Sequence, residues 1–198
     1  MKTIAVTGGI ASGKSLAASY LKSKGYELID ADEIARVITA PGGRAIPFIM
    51  EHFGADYTDD EGGLDRAAMR ELVFNNPDKK ALLEMGTTDI VIEEIEKIKR
   101  EREEAGNELL FFDIPLLFEK NQEDKYDYIL MITADRETRK ERILQREGLN
   151  DEMAELIIAS QFDENKKVEA ADFVIYNNGE IADLYRSMDE VLLQLGRK

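Results

Sequence analysis

Short apolar runs alternate with amphipathic stretches along the whole chain. Residues 3–7 form a brief apolar run ended by Gly8-Gly9, which predicts a buried strand. From Ser15 to Lys24 the positions Leu16, Ala17, Tyr20 and Leu21 recur at helical spacing, and Gly25 suits the residue just past a helix end. Residues 26–29 predict a second strand. Asp30, with Glu33 three residues on, resembles a capping box and predicts a helix over 32–38. After the break at Pro41-Gly42-Gly43 come a short helix near 45–53, a polar turn at 59–63 and a helix over 64–74. Pro77 starts a long charged helix over 78–105, weakened in its middle by Gly86. Glu93/Lys97 and Glu96/Arg100 at i,i+4 spacing give it a solvated face.

Beyond the Gly106-Asn107 stop, residues 109–112 are wholly apolar and end in Asp113, and 127–133 form another strand-like run. Helices are predicted over 136–147 and 151–165 with Gly148 between them, then a strand over 172–176, a turn at Asn177-Asn178-Gly179 and a closing helix over 180–195. Five short apolar strands alternating with helices, and no internal repeat, predict an α/β fold with a mostly parallel sheet covered on both faces. No linker is long enough to divide the chain into independent domains.

Composition narrows the function classes. The 198 residues contain no Cys and one His, which excludes a disulfide scaffold, a Cys-ligated metal, a thiol nucleophile and a multi-His metal site. With 26 Lys+Arg against 41 Asp+Glu the net charge is −15, which opposes nucleic-acid or anionic-membrane partners. No run reaches the roughly 20 apolar residues of a membrane span, and no secretory signal opens the chain, so a cytoplasmic protein is expected. The oligomeric state is not readable.

One motif carries chemistry by itself. Gly8-Gly9-Ile10-Ala11-Ser12-Gly13-Lys14-Ser15 fits G-x-x-x-x-G-K-[ST] at a predicted strand-to-helix turn, the context a phosphate loop requires. Gly8 and Gly13 let backbone N–H groups curl round an anion, Lys14 supplies a point charge, and the Ser15 hydroxyl suits Mg²⁺. The chain has no Asn-Lys-x-Asp for guanine, and its Asp-x-x-Gly runs fall in the polar turn at 59–63. A kinase needs in addition an acceptor carboxylate and cations on the moving phosphoryl group. Asp32, just past the second strand, is either the acceptor base or a first-turn helix residue beside the cap Asp30. Asp113 is either a substrate- or Mg²⁺-side carboxylate or a helix cap before Pro115. Residues 136–147 hold five basic and three acidic side chains, with Arg139, Arg142 and Arg146 on one helical stripe. That stripe is either a solvated face or a phosphoryl clamp, and the loop favours the clamp.

The loop followed by Ile29-Asp30-Ala31-Asp32, the segment Asp113-Ile114-Pro115-Leu116-Leu117-Phe118-Glu119 and the run Ala171-Asp172-Phe173-Val174-Ile175 resemble the dephospho-CoA kinase family. The resemblance covers residues 2–195. It implies a nucleoside-monophosphate-kinase-like, three-layer fold with a five-stranded parallel sheet, in one P-loop kinase domain. The core would comprise 1–40, 106–135 and 170–198, with a helical CoA-binding portion at 41–105 and a lid at 136–169. It further implies ATP-dependent phosphorylation of the ribose 3′-hydroxyl of dephospho-CoA, with Mg²⁺. Gly8, Gly9, Ala11, Ser12, Gly13, Lys14, Ser15 and Leu16 would bind ATP phosphates, with Asn177 and Asn178 near adenine. Asp32 would activate the acceptor, Arg142 and Arg146 would be lid cations, and Arg66, Asp113, Leu116 and Phe118 would face the substrate. The sequence departs from the family at Thr88-Asp89, where many members carry His-Pro, at Ile157, where an Arg is common, and at Arg139, where a Gln is common. Arg139 is therefore expected to replace the cation lost at 157. The alternatives are a P-loop kinase for another small acceptor, such as a nucleotide, and a catalytically silent nucleotide-binding regulator.

Overall fold

The computed structural model describes residues 1–145 and 150–197. The chain begins β1 (Lys2–Gly8), α1 (Lys14–Ser23) and β2 (Leu28–Asp30). Four helices follow: α2 (Ala31–Ile38), α3 (Ile46–Phe53), α4 (Arg66–Asn75) and α5 (Pro77–Glu104). Then come β3 (Leu109–Asp113), β4 (Tyr128–Thr133), α6 (Arg136–Leu144), α7 (Asp151–Ala159), α8 (Glu164–Ala170), β5 (Phe173–Tyr176) and α9 (Ile181–Arg197). Two compact units result, one of Met1–Ile29 with Ala105–Lys198 and one of Asp30–Glu104.

In the first unit the strands form one parallel sheet in the order β2-β3-β1-β4-β5. Val6 of β1 pairs with Asp113 of β3 on one side and Leu130 of β4 on the other, so the polar ends of these strands share one sheet edge. Side chains alternate between faces, and both faces are buried. Ile4, Val6, Phe111, Leu130 and Ile132 pack with Ala17 and Leu21 of α1 and with Leu184, Met188 and Leu195 of α9. Ala5, Leu110, Phe112 and Met131, on the other face, are equally buried. Each large side chain removed from water contributes about 1.5–3 kcal/mol. The core thus holds the carboxyl ends of the strands rigidly, where an α/β sheet builds its ligand crevice.

The second unit is helical and has its own core of Ile38, Ile46, Ile49 and Met69. Asp30 caps α2, its side chain accepting from the backbone N–H of Asp32 and Glu33. Gly86 does not weaken α5, which is continuous over 28 residues. A Cβ at Gly86 would lie 2.0 Å from the Phe48 ring, so the glycine lets α3 approach closely. The expected helix over 64–74 starts later. Leu64 bridges Thr58 in antiparallel fashion, and Asp65 then caps α4. Glu93 and Glu94 take the Arg44 guanidinium, both at 2.6 Å, so α5 ties to the loop before α3, and it also carries a pair along its own face, Lys99 with Glu96 at 2.9 Å.

The expected helix over 151–165 is two helices. α7 ends at Ala159, and Asp163 caps α8 through a 2.9 Å bond from the Asn165 N–H to its side chain. The second half of the expected helix over 136–147 falls partly on residues outside those described.

Candidate active site

At the edge where β1 ends, the chain turns through Gly8–Gly13 into α1. Two residues take left-handed backbone conformations there, Ala11 at φ 59° and Gly13 at φ 97°. Gly13 is needed twice over, because a Cβ at this position would also lie 2.1 Å from the Asn177 side-chain nitrogen. Lys14 and Ser15 occupy the first turn of α1, where backbone N–H groups have no intrahelical acceptor and no acidic side chain intervenes. That turn presents donors and a positive dipole end to an anion.

A cavity of about 570 Å³ opens over the loop. It is lined by residues 8–16 and by Pro115, Leu116, Arg142, Gln161, Asn177, Gly179 and Ile181. Lys14 forms an ion pair with Asp113, both side chains being 16% exposed. Asp113 is therefore no helix cap: it holds the loop cation at the end of the neighbouring strand. Arg142 donates to Ala11 O at 3.2 Å and to Asn177 O at 2.8 Å, so α6 docks a guanidinium on the loop. Asn177 donates to Ser12 O at 2.8 Å from a buried position, and its own N–H bonds Thr133 O at 2.7 Å. Loop, α6 and the end of β5 thus form one hydrogen-bonded unit.

The remaining expected site residues divide. Leu116 is half exposed and lines the cavity, whereas Phe118 is 4% exposed among the buried apolar residues. Asn178 turns away from the cavity, and its side-chain oxygen accepts from the Asp135 N–H at 2.8 Å. Arg139 is 3% exposed and pairs with Glu164 at 2.6 Å. The cation expected to replace the one missing at Ile157 is thus paired with a protein carboxylate. Arg146 lies outside the described residues. Asp32 and Arg66 belong to the second unit. Asp32 is exposed in the first turn of α2, and Arg66 donates to the Thr39 hydroxyl at 2.7 Å.

Sequence reasoning missed Gln161, whose side-chain oxygen accepts from the Ile10 N–H of the loop at 3.0 Å. No local signal marks it, because the apolar pattern of α7 reads straight through its position. Outside the cavity, Asp151 and then Glu155 raise the Lys140 ammonium above its ordinary range, while Arg136 and then Lys140 hold the Glu155 carboxyl below its own. These charges, exposed or half-buried, link α6 to α7. Among the described residues no cluster of three His, Cys, Asp or Glu suits a metal, and no helix is long and apolar enough to cross a membrane.

A phosphate loop at the first strand-to-helix turn of a parallel sheet, with its lysine held by an acid on the adjoining strand and an arginine docked from a following helix, defines a P-loop kinase. The model of the dephospho-CoA kinase family matches residues 2–183. A dephospho-CoA kinase of Bdellovibrio bacteriovorus is 36% identical over 97% of this chain and 95% of its own. One of Corynebacterium glutamicum is 35% identical over 98% of both chains. The solved dephospho-CoA kinase of Campylobacter jejuni superposes with a TM-score of 0.76 at 29% identity, over 98% of this chain and 97% of its own. The chain belongs to the dephospho-CoA kinase family.

Proposed function

We propose that this protein transfers the γ-phosphoryl group of ATP to the ribose 3′-hydroxyl of dephospho-CoA, giving CoA and ADP, the last step of coenzyme A biosynthesis. The observation that carries the reading is the intact phosphate loop, with Lys14 and Arg142 at one cavity, in a chain matched by the family over residues 2–183. The loop N–H groups and Lys14 bind the ATP phosphates. Arg142, which lines the same cavity, compensates charge on the transferring group, which has little covalent chemistry for a protein to assist and needs mainly placement and compensating charge. Asp32 accepts or orients the acceptor proton, and its exposure leaves the carboxylate available to a substrate. Arg66, Asp113 and Leu116 are the acceptor-side candidates, within a core at 1–40, 106–135 and 170–198, a CoA-binding portion at 41–105 and a lid at 136–169.

Mg²⁺ fits the donor set. It binds through one or two protein oxygens together with substrate phosphates and water, and the exposed Ser15 hydroxyl lines the cavity beside Lys14. Bound there, it would neutralise charge on the phosphate oxygens. ATP as donor supports a cytoplasmic place of action.

The test is ADP release by the purified protein, coupled to a spectrophotometric readout, with dephospho-CoA or with nucleoside monophosphates as acceptor, each with and without Mg²⁺. Release that requires both dephospho-CoA and Mg²⁺ is expected. Equal or faster release with a nucleoside monophosphate would overturn the acceptor, and ATP binding with no turnover on any acceptor would make the protein a regulator.

A further inference from the structure

The second glycine of the phosphate loop is not explained by the motif. Position 9 is free in G-x-x-x-x-G-K-[ST], and Gly9 is absent from the positive-φ residues of the described chain, so its backbone makes no demand for glycine. Space makes the demand instead. A Cβ at position 9 would lie 2.7 Å from Arg139 Nη1, 3.0 Å from Glu164 Oε2 and 3.2 Å from Gln161 Oε1. Three polar groups from α6, α8 and the segment between α7 and α8 therefore converge on one loop residue.

These groups are joined to one another and to the sheet. Arg139 Nη1 meets Glu164 Oε2 at 2.6 Å, and Nη2 donates to Gln161 Oε1 at 3.5 Å. The same Gln161 oxygen accepts from the Ile10 N–H at 3.0 Å, so one amide oxygen connects loop backbone to guanidinium. The other Glu164 oxygen accepts from the Thr133 hydroxyl at 2.5 Å, anchoring the cluster to the end of β4. Arg139 is 3% exposed and Thr133 2%. Arg139 Nε and Glu164 Oε2 are buried with no aligned hydrogen bond, which makes the contact between the two side chains coulombic in character. A buried ion pair with unused hydrogen-bonding capacity is a weak device for stability. Fixing position is the use that this geometry favours.

We propose that the Arg139–Glu164 pair, together with Gln161, is a positioning element for the phosphate loop, and that it is the reason residue 9 is glycine. The inference rests on the loop being the ATP site, but not on the identity of the acceptor. Arg139 acts through the loop backbone, while Arg142, one turn along α6, is the arginine that lines the cavity among the described residues.

A mutant cycle read by ATP binding tests this. Calorimetric affinity for ATP alone, without acceptor, is compared for the parent, Gly9→Ala, the charge-free Arg139→Met/Glu164→Gln variant, and the variant carrying all three changes. Measurements are made at a temperature where circular dichroism shows every protein folded. Gly9→Ala is expected to weaken ATP binding by about tenfold in the parent and by less than about threefold in the charge-free background, because the groups it displaces are in direct contact with it. Glu164→Gln alone is expected to weaken ATP binding as well as to lower the melting temperature. Equal Gly9→Ala penalties in both backgrounds would overturn the proposal. So would a Glu164→Gln protein that melts earlier yet binds ATP as the parent does, since that is what a purely structural pair would give. A parent that binds no ATP would overturn the kinase reading itself, a separate result.

Discussion

Lys167 lies on α8 with 1% of its surface exposed, and its ammonium donates to Glu119 Oε1 at 2.6 Å. The two partners are unequal, because the Glu119 side chain is 25% exposed and the Lys167 side chain only 2%. Removing the acid by Glu119→Gln strands a cation in the interior, a loss of about 3–5 kcal/mol for a broken buried pair. For a chain of this size each kcal/mol moves the melting temperature by about 2–4 °C, so a fall of roughly 6–20 °C is expected. Removing the base by Lys167→Met leaves a carboxylate that can turn to water, and a straight apolar side chain fills the space of the lysine stem. That change is expected to cost about 1 kcal/mol or less, near 2–4 °C. The Glu119→Gln/Lys167→Met protein should then be more stable than Glu119→Gln alone. Thermal unfolding followed by circular dichroism, with urea titration as a second measure, reads all three. A Glu119→Gln protein that melts within about 2 °C of the parent, or one more stable than Lys167→Met, would refute the account of an unequal buried pair.

Asp32→Asn is expected to lower kcat by about 10²–10⁴-fold while ATP affinity stays within a factor of about three, and substantial turnover in that variant would leave Asp32 as a first-turn helix residue. Lys14→Ala should lose ATP affinity and kcat together, because the cation contacts phosphates in ground and transition states alike, which calorimetry beside steady-state kinetics can check. Gly13→Ala should reduce ATP binding and stability, since φ 97° and the Asn177 side chain both oppose a Cβ; a protein with parental melting and binding would show that the loop accommodates it. The Glu155 carboxyl, held below its ordinary value of 4.5 first by Arg136 and then by Lys140, contributes stability that is present above that value and lost as the pH falls below it through the lowered folded-state value. Acid unfolding of Glu155→Gln should accordingly depend less on pH below about 4.5 than that of the parent.

Local rules made the strand, loop and helix that frame the candidate site readable from the residues in order. The strand, the glycine loop and the first helix follow from adjacent positions, and the Asp30 cap follows from side-chain reach over three residues. The break between α7 and α8 was equally local, since Asp163 is a good cap, but an apolar period running through residues 151–165 concealed it. Arg139 shows a different limit. It shares a helical stripe with Arg142, and nothing in that stripe says which arginine reaches solvent. The difference arises because Gly9, Gln161 and Glu164 make room for one guanidinium and supply its counter-charge. Lys167 and Glu119 are 48 positions apart, and only the packing of α8 beside the segment after β3 makes them a pair.

The same packing alters what a net charge of −15 means for a kinase. Its local cations are not held as bare charge. Lys14 is paired with Asp113, Arg142 is spread over the loop carbonyl of Ala11 and the carbonyl of Asn177 just past β5, and Arg139 is paired with Glu164. A phosphate approaching the loop competes with Asp113 for Lys14 and with backbone carbonyls for Arg142, so part of each new attraction offsets a contact given up. Arg139 faces no such competition, because it does not line the cavity. In the proposed ATP site, affinity would therefore draw on the backbone N–H groups of Lys14 and Ser15 in the first turn of α1, where an anion meets no intrahelical acceptor. In the proposed transfer, Arg142 would be drawn onto the phosphoryl group as its charge shifts, which places its contribution in the rate more than in the binding, while Lys14 would act in both.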